Sequence, residues 1–379
     1  MVNMKILYIA NSRMPTEKAH GLQIAKTIEA FKLANVKVEL LLPNRKNYIK
    51  ESIVNYYNLK TDIDIKYINN YFSWLEDYFH KTYFSLQRIN FGIIAFFYAL
   101  RSSAEAIYSR EITICFFLSF LKKNIIFEDH EPKKRLRWLY KIFVKKIRKK
   151  VIVANNLAEL YNSLNINKKE YILASNGVDL KEFSEIKKNK NIWQKEFNFK
   201  KEDKVILYVG HFYKWKGVYT LLDAAKSVKG NIVLIGGIKQ DQQKIQDYIK
   251  NKNIANVWLH EFTPHKEIIE YLKSADVLVL PNTAKEERSA KYTTPIKLFE
   301  YMASGVPIVA SNLESFKAYI QNDKALLCKP DDSIDLAKKI NKILDNKKLA
   351  ESLAEKALQQ VKRYTWRKRA EKILNFIDI

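Results

Sequence analysis

"KVILYVGHFYKWKGVYTLLDAAKSVKGNIVLIGG", residues 204–237, spells out a strand, a helix and a second strand in order. "KVILYV" and "NIVLI" are short apolar runs stopped by glycine, and "GVYTLLDAAKSV" between them has helical spacing. A strand that is apolar at nearly every position is buried on both faces, as in a parallel sheet covered by helices. "MKILYIANS" at 4–12 opens a second segment of the same kind. It leads into a helix marked by Ile24, Ile28, Phe31 and Leu33, and then into the strand "VKVELLLP". Further strands are predicted at "AIYSR", "NIIFED" and "VIVAN" in the first half, and at "NVWLHE", "DVLVLPN" and "VPIVAS" in the second. The alternation predicts an α/β protein with two Rossmann-like, doubly wound parallel-sheet domains facing a central cleft. A length of 379 residues suits two such domains. The expected boundaries are 1–180 and 181–363, with a joint in "ILASNGVDLKEF" (172–183), where Asn176-Gly177 signals a turn.

The composition narrows the setting. Cys115 and Cys328 belong to no metal-binding or disulfide spacing, which fits a reducing compartment. The opening "MVNMKILYIANSR" has no charged region followed by an apolar run, so no signal peptide is expected. "FGIIAFFYAL" at 91–100 is far short of the about 20 residues a bilayer span needs, and reads as a core helix. The net charge of +25 is spread over both halves. It suits a phosphate-rich partner (anionic lipid, nucleic acid or a diphosphate ligand), or else reflects lysine-rich solvated faces.

In open parallel sheets ligands bind beyond the carboxyl ends of the strands. "TTPIKLFEYMASGVPIVAS" at 293–311 lies at such a place, after the strand "DVLVLP" and the loop "NTAKEERSAKYT". Pro295 suits the start of a helix, and free amides at Thr293, Thr294 and Ile296 favour an anion there. Lys297 in the first turn opposes the helix dipole by roughly 0.3–1 kcal/mol, which a bound anion would offset. Glu300, one turn on, can accept two hydrogen bonds from a vicinal diol, and Gly305 closes the helix. The alternative is a solvent-facing i,i+3 pair of Lys297 and Glu300, worth roughly 0.2–0.5 kcal/mol.

The stretch Pro-x-Lys-x-x-Glu-Tyr-Met-Ala-x-Gly resembles the donor-site helix of family 4 glycosyltransferases of the GT-B fold. "MKILYIANSRMPTEKAHGLQIAKTIEAF", "IYSRE", "FEDHEP", "LYVGHFYKWKGVYTLLDAA", "LIGG" and "ADVLVLPN" resemble other parts of that family in order. "YTWRKRAEKIL" resembles its final helix, so residues 364–379 are expected to cross back to the N-terminal domain. The resemblance implies that Glu300 binds the ribose of a nucleoside-diphosphate sugar and Lys216 its diphosphate. Gly210 and Gly236 would let the backbone approach the nucleotide, with His211, Thr294 and Lys297 beside it. Gly21 would offer its amide to the distal phosphate or sugar, and His130 would contact the transferred sugar as the catalytic residue. Two positions depart from the family pattern: His211 stands where a second phosphate-binding arginine is common, and Tyr292 where a second glutamate is common. Lys297 or Lys214 is the expected substitute cation.

These residues allow other readings. "EDHE" could form a metal cluster through Glu128 and His130, which point the same way on a strand, or His130 could be an inert buried residue. His20, His211, His260 and His265 read as mostly structural, and "DIDI" at 62–65 as a surface strand. No Ser-His-Asp arrangement or P-loop is legible.

"KKRLRWLYKIFVKKIRKK" at 133–150 carries ten basic residues in eighteen. Leu136, Leu139, Phe143 and Ile147 form a helical stripe that Trp138, Tyr140 and Ile142 widen. Such a helix suits an anionic membrane surface, with Lys133, Lys134, Arg135, Arg137 and Trp138 as contacts, or packs on the sheet as an ordinary amphipathic helix. The aromatic-rich segment at 71–100 could line a groove for a lipid-linked acceptor. Nucleic acid is not expected, because no recognisable motif accompanies the basic charge.

The expectation is therefore a metal-independent, retaining glycosyltransferase with no cofactor besides its UDP- or GDP-linked sugar. It would act on a lipid-linked saccharide or cell-surface polysaccharide, in the cytoplasm on the inner face of the membrane. Another GT-B enzyme, such as an epimerase or phosphorylase, and a non-catalytic basic membrane- or nucleic-acid-binding protein are the alternatives.

Overall fold

Strands as short and apolar as "VILYV" satisfy their backbone groups only in a ladder with neighbours, and their side chains only between two layers of helices. The computed structural model describes residues 4–69, 80–121, 124–132 and 137–377, and it contains two such ladders. The first comprises β1 (Lys5–Ile9), β2 (Lys37–Pro43), β3 (Asp64–Ile68), β4 (Ala106–Ser109), β5 (Asn124–Asp129), β6 (Lys149–Ile152) and β7 (Tyr171–Leu173), in the order β3-β2-β1-β4-β5-β6-β7. The second comprises β8 (Val205–Val209), β9 (Asn231–Ile235), β10 (Val257–His260), β11 (Val277–Leu280), β12 (Ile308–Ser311) and β13 (Leu326–Cys328), in the order β10-β9-β8-β11-β12-β13. The pairings within both sheets are parallel. One compact unit is Met1–Asn176 with Trp366–Ile379; the other is Gly177–Thr365.

Alternation along the strands of the second sheet builds a core on each face. Val205, Leu207 and Val209 pack with Leu298, Phe299 and Met302 of the helix Ile296–Ser304. Ile206 and Tyr208 pack with Leu221, Leu222, Leu336 and Ile340 on the opposite face. This is the doubly wound arrangement expected from the sequence.

In the first unit the helix Ala19–Leu33 is buried almost all round. Ile24, Ile28 and Phe31 are buried as predicted, but Leu33 is 59% exposed at the last residue of the helix. Gln23, Lys26, Thr27 and Glu29 are buried too: the terminal helix Trp366–Ile377 packs on this helix and reaches Thr27, while Lys26 and Glu29 bond the backbone of Asn58 and Lys60. Arg369 of that terminal helix donates to Thr27 Oγ1 at 3.0 Å and to Glu128 Oε2 at 2.7 Å. Both members of this ion pair are buried, so neither charge has solvent to fall back on.

Two expectations on helices need correction. The helix His80–Arg101 is only half a core helix: Phe91, Ala95 and Ala99 are buried while Ile89, Ile93 and Phe97 stand in solvent. The apolar run is longer than one buried face of a helix can use. The basic run is also not one helix. The helix Arg137–Lys146 ends before Lys149 and Lys150, which belong to β6, and Lys150 is buried with its ammonium 2.8 Å from Glu170. Tyr140, Val144 and Ile147 turn inward, Leu139 and Phe143 are half-buried, and Trp138 and Ile142 are exposed. Lys133, Lys134, Arg135 and Leu136, and the start of the aromatic segment at 70–79, lie outside the described residues.

Removing one partner of a buried ion pair leaves the other charge stranded, at a cost of about 3–5 kcal/mol. Arg369→Ala is therefore expected to lower stability by about that amount in urea unfolding. A loss under about 1 kcal/mol would mean that the terminal helix does not rely on Glu128.

Candidate functional site

Where the strand order of an open parallel sheet reverses, adjacent connections run to opposite faces and leave a crevice at the carboxyl ends. In the second unit that point lies between β8 and β11. β8 runs into Gly210 and His211, and then into one tight turn, Lys214–Lys216, closed by Gly217. Gly217 has φ +71°, and a Cβ there would sit 1.8 Å from the Pro281 carbonyl oxygen just past β11. Only glycine lets this turn lie against the end of the neighbouring strand. The Trp215 carbonyl accepts from Thr283 N (3.2 Å) and Ser289 Oγ (3.3 Å), tying the loop after β11 onto the same turn.

This arrangement gathers cations. Lys216 Nζ lies 4.1 Å from the centre of a Trp215 ring and Arg288 Cζ 5.4 Å from one. Burial pushes the Lys216 ammonium down to about 7, and repulsion from Arg288 and then Lys297 adds to it. His211 stacks on Tyr213 (5.0 Å, 15°), and Tyr213 on Trp215 (6.4 Å, 20°). Asn282 follows directly and is 1% exposed, with neither its amide nitrogen nor its amide oxygen hydrogen-bonded.

Glu300 is 2% exposed, so the solvent-facing pair is ruled out. Its Oε1 lies 2.5 Å from His265 Nε2 and its Oε2 3.0 Å from Lys297 Nζ. Burial alone would raise its pKa, but the Lys297 charge and then His265 overcome this and hold the carboxyl at about 2. The contact to Lys297 is an ion pair without hydrogen-bond geometry, so Oε2 has no hydrogen-bond donor. His265 had read as structural, yet it contacts the site's carboxylate. It opens the helix His265–Ser274, 35 residues from Glu300 in sequence, and no spacing rule links the two. Arg288 and Asn282 were likewise missed; their only signal was a position soon after a predicted strand.

Gly236 has φ +117°, and a Cβ there would stand 2.5 Å from the Gly210 carbonyl oxygen, so the loops after β8 and β9 need glycine to pass each other. Thr294 is buried beside the start of the helix Ile296–Ser304. Lys214 is exposed.

The first unit reverses its strand order between β1 and β4. After β1, Ser12 Oγ meets His20 Nε2 at 2.6 Å. Gly21 is required by its neighbours, since a Cβ there would lie 2.1 Å from the Tyr57 hydroxyl. Its amide donates to the Lys18 carbonyl at 3.0 Å, so the expectation that it is offered to a ligand does not hold in this structure. Next to β5, His130 Nε2 lies 2.6 Å from Glu128 Oε1, which also accepts from Gln23 at 2.6 Å. Arg369 and the Tyr108 hydroxyl donate to the other oxygen. Four donors thus fill the four acceptor positions of Glu128. Burial, with Arg110 next, pushes His130 down to about 4 against the pull of Glu128, so the ring is neutral at pH 7. Glu128 is held well below the carboxylate range, with the nearby Arg369 charge outweighing burial, and accepts only. His130 must then donate from Nε2, which leaves Nδ1 as an acceptor for a hydroxyl. Arg137 and Trp138 are exposed on the helix Arg137–Lys146, with Trp138 61% exposed.

Comparison with known proteins places this geometry. Residues 189–360 match the family model for glycosyl transferases group 1. The chain is 28% identical over 247 residues to the N,N'-diacetylbacillosaminyl-diphospho-undecaprenol alpha-1,3-N-acetylgalactosaminyltransferase of Campylobacter jejuni. That similarity covers 63% of this chain and 62% of the relative, just under two thirds of its length. Among solved structures, Anabaena Alr3699/HepE in complex with UDP and glucose superposes with a TM-score of 0.77 at 14% identity, covering 98% of both chains. The lipopolysaccharide outer core galactosyltransferase WaaB does so with a TM-score of 0.70 at 15% identity, covering 99% of both. The matched family region lies wholly within the unit that holds Glu300 and Lys216, and the fold likeness runs through both units. The chain therefore has the GT-B fold, and residues 189–360 of its second unit are similar to the glycosyl transferases group 1 family.

Proposed function

We propose that the protein transfers a glycosyl group from a nucleoside-diphosphate sugar, UDP- or GDP-linked, to a lipid-linked saccharide or cell-surface polysaccharide. The observation that carries this reading is a buried, ionised glutamate beside a cluster of cations at the strand switch of the second unit. Glu300 takes the ribose hydroxyls at Oε2, where a diol displaces the Lys297 ammonium. Lys297 then turns to the diphosphate, joining Lys216. A leaving diphosphate gains charge as the glycosidic bond breaks, and preorganised cations stabilise that charge without a metal ion. Transfer proceeds with retention at the anomeric carbon. In the first unit the neutral His130 accepts a hydrogen bond from a sugar hydroxyl, its ring held by Glu128.

The lipid-linked acceptor is supported by the Campylobacter jejuni relative, whose name specifies a diphospho-undecaprenol substrate. A peripheral position on the inner face of the membrane is supported by one face of the first unit. There the helices His80–Arg101, Ile112–Leu118 and Arg137–Lys146 pack in sequence and expose Ile93, Phe97, Phe117, Trp138 and Ile142 beside Lys141 and Lys145. Each basic residue near an anionic surface adds roughly 1 kcal/mol. Among the described residues no helix is long and apolar enough to cross a membrane.

Glu300→Ala is expected to weaken nucleoside diphosphate binding by about 1.5–3 kcal/mol per charge-assisted bond lost. Calorimetry checks this, and unchanged affinity removes Glu300 from the site. Because the free Lys216 stands at about 7 and a bound anion raises it, affinity falls as pH rises from about 7 to 9, by up to about tenfold per unit. Lys216→Met flattens that dependence and lowers affinity at pH 7; unchanged affinity in this variant excludes Lys216, and a wild-type affinity independent of pH over the same window overturns its lowered pKa. Trp138→Ala with Lys141→Glu and Lys145→Glu lowers sedimentation with anionic liposomes and leaves nucleotide affinity unchanged. If both fall together, the face is structural. The transfer itself is tested by release of nucleoside diphosphate together with a glycosylated lipid; an epimerised sugar nucleotide in their place overturns it.

A further inference from the structure

We propose that Arg288, in the loop after β11, is the second diphosphate-binding cation of this site, with the Asn282 side-chain amide as a neutral donor beside it. The assignment rests on the donor reading above and adds two residues to it.

Three observations converge. First, Arg288 and Lys216 both crowd Trp215, at 5.4 and 4.1 Å from its ring centres, and repulsion from Arg288 adds to burial in lowering the Lys216 pKa. No carboxylate is among the groups that shift Lys216; the charges acting on it are Arg288 and Lys297. Positive charges gathered in a partly buried place are stabilised when an anion of matching charge binds among them. Second, the loop that carries Arg288 is anchored at both ends. Thr283 N and Ser289 Oγ hold the Trp215 carbonyl, Ala284 N donates to Asp331 at 3.0 Å, and Ser315 Oγ donates to the Ser289 carbonyl at 2.8 Å. Ser289 is buried while Arg288 beside it is exposed, so the guanidinium springs from a fixed root into accessible space. Third, Asn282 is buried with its whole amide unsatisfied, a condition that costs about 1–3 kcal/mol until a partner arrives. Its Cα would lie 3.3 Å from a Cβ on Gly217, the residue after Lys216, so Asn282 is rooted against the same turn.

The chemistry that fits is a diphosphate. Lysine offers a point charge, guanidinium a planar fork that takes two oxygens of one phosphate, and the amide a single N–H. His211 takes no such part: its ring stacks on Tyr213.

The test is calorimetric titration of the full chain with UDP and GDP, and with the matching monophosphate of the better ligand as control. Arg288→Ala is expected to weaken the diphosphate about 10- to 100-fold and the monophosphate several times less. Arg288→Lys keeps the charge but loses the fork, and recovers only part of the affinity. Thermal unfolding of both variants should stay close to wild type, because the anchors of the loop, Thr283, Ala284 and Ser289, are untouched. Asn282→Leu, similar in size, should also cost diphosphate affinity while raising stability, since it removes an unsatisfied buried amide. If Arg288→Ala binds the diphosphate as tightly as wild type, or loses both nucleotides equally, the assignment is overturned and the donor reading stands. If the wild-type chain binds neither UDP nor GDP, both fall.

Discussion

Parallel strands cannot be joined by hairpins, and this constraint sets everything else in the molecule. Each crossover must climb over one face of its sheet. When the chain returns to pair on the other side of its starting strand, the crossovers change faces. In the second unit this happens between β8 and β11, in the first between β1 and β4. The loops at those ends have no crossover above them. Lys216, Asn282 and Arg288 in one unit and the Ser12–His20 pair in the other are brought to such ends by topology, whatever their distance in sequence.

Two buried glutamates show how hydrogen-bond satisfaction separates scaffold from site. Glu128 and Glu300 each pair with a histidine at 2.5–2.6 Å and each face one close cation. Glu128 accepts from four donors, one of them an arginine from the end of the chain, and so locks the terminal helix onto the first. Glu300 has one oxygen that meets only an ammonium in poor hydrogen-bond geometry. A saturated carboxylate costs energy to disturb, whereas an unsaturated one gains from a ligand hydroxyl. In the second unit Glu300 Oε2 and the Asn282 amide are among the buried groups without a hydrogen bond, and the charges acting on Lys216 are both positive.

The basic excess divides in a similar way. Some lysines are consumed internally, as Lys150 is by Glu170 and Lys26 by Glu29. Others remain in solvent beside exposed aromatic side chains on the helix Arg137–Lys146. The same residue type in the same run serves burial at position 150 and the surface at 141 and 145, because the chain switches from helix to strand between them.

Most strand positions, though not the short edge strands β7 and β13, were legible in the sequence with the two-domain division and the glutamate helix, because they follow from local rules. Uninterrupted apolar runs can only be buried, Pro295 and Gly305 bracket a helix, and turn residues punctuate the units. Side-chain partnerships were not legible. His265 reaches Glu300 across 35 positions, Arg369 reaches Glu128 across 241, and Arg288 comes to Trp215 from a loop with no pattern of its own. Periodicity reports which face of an element is apolar, not which element will cover it. For that reason the helix Ala19–Leu33, buried on both sides, and the helix His80–Arg101, buried on one, both departed from their sequence reading. Backbone architecture was written locally, and the chemistry of the site was decided by sheet topology, which sets distant loops side by side.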